Sequence, residues 1–143
     1  MNAAVLASSA HAVHPHKALN LSLWIVQVLL AAIFGLAGLM NTTRPLAELA
    51  RNVDWATAYP VLVRFIGASE LAGALGVVLP SLTRIQPRLT GLAAVGLLTV
   101  MVLASGYHVV RGEFGSLPIT FALGGLAGFV AWGRYCGAPI DPR

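Results

Sequence analysis

What most limits the folds open to this chain is a fourfold recurrence of apolar sequence, at residues 21–40, 60–79, 89–110 and 117–132. Each run is close to the length of about 20 helical residues that crosses a hydrocarbon core of about 30 Å. A soluble domain of 143 residues has no core large enough to hide four such segments. Apolar types make up 57% of the chain and charged types only 10%, whereas soluble domains carry about a quarter charged residues. The expected architecture is therefore an all-α, four-transmembrane-helix bundle in a lipid bilayer. Gly and Pro inside the runs are compatible with helix, because neighbouring helices re-satisfy freed backbone groups within a bundle. The fourth run is the shortest and is expected to extend towards Tyr135 or to sit untilted. The chain then divides into a polar N-terminal tail at 1–20, one membrane domain at 21–135 and a short C-terminal tail at 136–143.

Composition also removes several classes of function. The single cysteine, Cys136, leaves no intramolecular disulfide, Cys-x-x-Cys redox pair or four-thiolate metal site. The net charge of +4 comes from basic residues that flank the runs singly or in pairs, so no nucleic-acid stripe is expected. No nucleotide loop, zinc-protease motif or nucleophile elbow is present. The spans contain one histidine, His108, where a bis-His haem needs two at matched depths. His11, His14 and His16 have a spacing that suits a transition metal, but with no Cys or acid beside them they read as part of the tail. No cofactor and no metal are expected, and catalysis by this chain alone is not indicated.

Four spans put both termini on one side. Lys17, Arg84, Arg88, Arg134 and Arg143 accompany the termini and the middle connection; Arg44, Arg51 and Arg111 accompany the other two. This asymmetry predicts cytoplasmic termini in a cell inner membrane. Trp24, Trp132 and Tyr135 then fall at the inner interface and Trp55, Tyr59 and Tyr107 at the outer one, where amphipathic rings are favoured. Within the long first connection, Thr43 is expected to cap a short surface helix with Pro45 in its first turn. Leu46, Leu49 and Val53 would form its apolar side.

Membrane helices meet where small residues let backbones approach, since lipid is as apolar as Leu. In the first run Gln27, Ala31, Gly35, Gly38 and Asn41 share an arc of about 120°. Thr120, Gly124 and Gly128 form small-xxx-small pairs in the fourth, while Gly67, Gly73 and Ala74 lie near the azimuth of Glu70 in the second. These are the expected seams, and Leu97 is placed on the lipid side. Packing within the monomer is favoured over a homo-oligomer contact.

An ionisable group deep in a membrane costs at least a few kcal/mol and needs a reason to be there. Glu70 stands about 15 Å into the second helix, near mid-depth, with small residues around it. It suits a proton-linked or ligand-binding carboxyl; the competing role is an interhelical assembly contact. Arg64 is six residues earlier, turned about 120° away, and is expected to snorkel outward. His108 ends the third helix with Ser105 one turn below it on the same side. Glu70, His108, Arg64, Asn41 and Gln27 are thus the candidates for a ligand or proton site.

Three segments together resemble the DoxX-like family of small four-helix membrane proteins. They are Phe-Gly-Leu-Ala-Gly-Leu-Met at 34–40, Phe-Ile-Gly-Ala-Ser-Glu-Leu-Ala-Gly at 65–73 and Tyr-His-Val-Val-Arg-Gly-Glu at 107–113. Related proteins often carry Lys at the position of Asn41, so the resemblance implies that a cationic partner for Glu70 is missing here. It also implies a small accessory membrane subunit, since the namesake proteins look like membrane subunits of quinone-linked sulfur oxidoreductases. Partner membrane or redox subunits are the expected associates. A proton-coupled carrier using Glu70, working as a homo-oligomer, and a scaffold for other membrane proteins are the alternatives.

Overall fold

The computed structural model describes residues 15–143, so His11 and His14 lie outside the described residues. Helix α1 spans Pro15–Thr43, the short α2 Leu46–Leu49, α3 Pro60–Thr83, α4 Arg88–Arg111 and α5 Leu117–Trp132. A 3-10 turn at Phe114–Ser116 leads into α5, and a π turn at Gly133–Gly137 extends it. The fourth span therefore runs from Phe114 to Gly137, 24 residues, and passes Tyr135 as its short apolar run required. Four helices are long and apolar enough to cross a membrane, and no strand occurs among the described residues.

The four long helices run antiparallel in chain order around a ring, α1 against α3, α3 against α4, α4 against α5, with α5 closing more loosely on α1. Leu23, Leu30, Phe34, Val77, Leu97, Ala127 and Val130 fill its centre. One end, the terminal end, carries both chain termini and the α3–α4 turn; the other, the loop end, carries α2 and the α4–α5 turn.

Small residues set the tightest seam. A Cβ on Gly38 would lie 2.7 Å from the Gly67 carbonyl oxygen and 2.8 Å from the Leu71 nitrogen, so α1 and α3 meet backbone to backbone there. Gly35, on the same arc, is different: the nearest atom to an added Cβ is Ala74 Cβ at 3.8 Å, ordinary contact distance. Gly124 faces Met101 on α4, with 3.4 Å available. Gly73 packs directly on the Leu97 side chain. Leu97 is accordingly a core residue, 1% exposed, and its assignment to the lipid face is overturned. Leucine suits lipid and core equally, so only the partner Gly73 discriminates between the two.

The connection between α1 and α3 is folded over the loop end. Leu49, Ala56 and Val63 form a second small core, with Leu46, Val53 and Trp55 around it. The expected apolar side at Leu46, Leu49 and Val53 is present. The expected cap is not: Thr43 is the last residue of α1, its hydroxyl donating to the Leu39 carbonyl at 2.6 Å, and Pro45 takes the N-cap position of α2. A β-hydroxyl facing its own preceding turn bonds back along the helix, which carries α1 on through Thr43.

Candidate functional site

Three of the five candidates come together where α1 meets α3. Because Gly38 and Gly67 bring the backbones close, Asn41 on the last turn of α1 reaches across to Glu70. Its Nδ2 donates to Glu70 Oε2 at 2.9 Å. Glu70 is 7% exposed, so the face predicted from its small neighbours does point into the bundle. Arg64 does not touch Glu70. Its Nη1 donates to the Asn41 carbonyl at 2.6 Å and its Nη2 to the Arg44 carbonyl at 2.7 Å. These carbonyls lie at the C-terminus of α1, where unpaired acceptors and the negative end of the dipole both favour a cation. Asn41 thus joins the carboxyl through its side chain and the guanidinium through its backbone. The arrangement ties α1 to α3 and gives each polar group a partner.

His108 is separate from this group. Its Nδ1 lies 2.8 Å from Glu113 Oε2 in the α4–α5 turn. Arg111 Nε donates to Glu113 Oε1 at 3.2 Å, and Arg111 Nη2 to Asp54 Oδ2 at 2.5 Å. The hydrogen bonds of His108, then of Arg111, hold the Glu113 carboxyl below the usual carboxylate range. The cluster straps the folded first connection to the turn after α4. Ser105, one turn below His108, instead donates to Thr120 Oγ1 on α5 at 2.8 Å.

Gln27 belongs to a second polar group, at the terminal end, about 21 Å along α1 from Asn41. It is fully buried. Its amide nitrogen donates to the Val77 carbonyl and lies 3.4 Å from Ser81 Oγ, which is 2.8 Å from Thr90 Oγ1. Its Oε1 accepts from Arg134 Nε at 2.8 Å. Arg134, one of the basic residues that accompany the termini, is 5% exposed. Its Nη1 donates to Asn20 Oδ1 at 2.7 Å and to the Ala138 carbonyl at 3.2 Å, and the Trp24 ring lies over the guanidinium with its centroid at 5.4 Å.

The π turn is what carries Arg134 inward. Gly133 sits against Leu23 on α1, Gly137 against Leu19, and Gly91 on α4 lies under the Tyr135 ring. With no side chains at these three positions, the turn is drawn into the seam between α1 and α4. The sequence held one signal for this: Gly on either side of an Arg, at the depth of a Gln on the inward face of α1.

Two open apolar grooves lie on the outside of the bundle. One, of about 450 Å³, runs between α1 and α3 past Ala31, Gly35, Ala74 and Val78. The other, of about 310 Å³, runs between α4 and α5 past Leu98, Met101, Gly124 and Gly128.

A small α-helical membrane protein with four spans and interhelical polar ties is the class that fold and site define. The family model described as the DoxX-like family matches residues 25–130, most of the chain and all three segments noted in the sequence. The protein belongs to the DoxX-like family. No curated protein and no solved structure matches the chain.

Proposed function

We propose that the protein is an accessory membrane subunit of a redox-associated assembly in a bacterial-type inner membrane, and that its polar interior locks the bundle rather than performing chemistry. The observation that carries this reading is the Asn41–Glu70 hydrogen bond, 2.9 Å, which gives the buried carboxyl an interhelical partner. A carboxyl so engaged serves assembly. The redox association rests on the resemblance to the namesake proteins. Lys17, Arg84, Arg88 and Arg143 at the terminal end support cytoplasmic termini.

Purification from native membranes in mild detergent tests the proposal. A stable complex with a redox protein is the expected result. A homodimer that releases protons on adding a substrate would replace it with a carrier built on Glu70, and a changing set of client proteins would replace it with a scaffold.

A further inference from the structure

Arg134 presents an uncompensated charge inside the terminal end of the bundle. Arginine stays protonated in proteins, and a buried charge needs a counter-charge as well as hydrogen bonds. Its acceptors are two neutral amide oxygens and a backbone carbonyl, those of Gln27, Asn20 and Ala138. Its Nη2 is buried and has no partner among the described residues, and no carboxylate there forms an ion pair with it. The first 14 residues contain no acid to supply one. Asp141 is the sole acid at this end, and it is exposed, among Lys17, Arg84, Arg88 and Arg143, which are exposed too.

We propose that Arg134 is the anchor of a binding site for a phosphate-bearing anion at the membrane interface, supplied by an anionic phospholipid headgroup or by free phosphate. A guanidinium recognises phosphate oxygens through paired N–H donors and so outperforms a point charge in this role. The polar network opens outward in the right place: Gln27 is fully buried, while Asn20 at its other end is exposed. Trp24, Trp132 and Tyr135 mark the same end with the rings that favour headgroup depth. The half-buried Trp24 ring lies over the guanidinium, 5.4 Å from centroid to Cζ, so its emission reports on the surroundings of that group. The site stands whether or not the chain has a protein partner.

Native mass spectrometry of the delipidated full chain in detergent tests this, with phosphatidylglycerol and phosphatidylcholine of identical acyl chains as probes. One saturable phosphatidylglycerol adduct is expected, held at least about tenfold more tightly than phosphatidylcholine. Arg134→Lys, which keeps the charge and loses the fork, should weaken it about tenfold with helicity retained. Arg88→Gln, at the exposed surface of the same end, should change it less than about threefold. Inorganic phosphate that displaces the lipid identifies the free anion as a sufficient ligand; failure to displace it assigns the lipid. Equal retention of the two lipids, or wild-type binding by Arg134→Lys, would overturn the site. Should Arg134→Lys not fold, the protein carrying Trp55→Phe and Trp132→Phe reports through Trp24 alone. Its emission should shift saturably with phosphatidylglycerol, and an unchanged spectrum would refute the proposal.

Discussion

Asn41 Nδ2 donates to Glu70 Oε2 across 2.9 Å, joining α1 to α3 within the span. Interhelical hydrogen bonds of this kind contribute about 0.6 to 2 kcal/mol in membranes. Asn41→Leu should therefore destabilise the bundle by about 1 kcal/mol, and Glu70→Gln by less, because Gln keeps an acceptor oxygen. A double-mutant cycle between Asn41→Leu and Glu70→Leu, which removes both acceptor oxygens, should give a coupling energy within that range on detergent unfolding. Additive effects would show that the pair does not interact.

The Gly38–Gly67 crossing predicts a sharp contrast between two neighbouring glycines on one helix face. A methyl group at position 38 meets backbone 2.7 Å away, whereas at position 35 its nearest neighbour is 3.8 Å away. Gly38→Ala should cost about 1 to 3 kcal/mol, as overpacking does, and Gly35→Ala should be close to neutral. Thermal melting in detergent distinguishes them, and equal effects would mean that the crossing lies elsewhere.

Gly73 and Leu97 form a second packed pair, with the Leu97 side chain occupying the space a Cβ at 73 would take. Leu97→Ala should lower stability by about 2 to 5 kcal/mol as a cavity mutation, while Val102→Ala, on a side chain 60% exposed, should do little. Gly73→Ala should be partly rescued by Leu97→Ala. Unfolding of the single and double variants measures the rescue, and strictly additive losses would refute the pairing.

The spans, the seam through Gly38 and the inward face of Glu70 were legible in the sequence because each follows from a local periodicity: hydropathy over a helix length, or small residues three and four apart. Leu97 was misread, and the burial of Arg134 missed, for one reason. Leucine fits lipid and core alike, and an arginine near a span end ordinarily reaches water, so neither type reveals its side. Their placement depends on Gly73 and on the π turn at Gly133–Gly137, which are tertiary facts. The bond between His108 and Glu113 was hidden similarly, because the left-handed turn at Gly112, φ 71°, ends α4 and brings together two positions five apart that no helical periodicity pairs.

The strap at the loop end has a pH dependence of definite sign. His108 and Arg111 hold the Glu113 carboxyl below its ordinary range, so the folded state binds that proton less readily than the unfolded chain. The contribution is present above the unfolded carboxylate pKa, about 4.3, and is lost as pH falls through the lower folded value. Melting temperature should fall with acid more steeply in wild type than in Glu113→Gln. Parallel curves would remove Glu113 from the strap.

Whether Glu70 serves assembly within an accessory subunit is decided by the Glu70→Gln protein. The measurement is the yield of partner complex recovered from native membranes in mild detergent, alongside the melting temperature of the purified chain. Glu70→Gln should fold and assemble at wild-type yield, because the amide retains an acceptor for Asn41. A variant that melts like wild type yet loses the complex, or the cellular function that depends on it, would assign the carboxyl a chemical role instead.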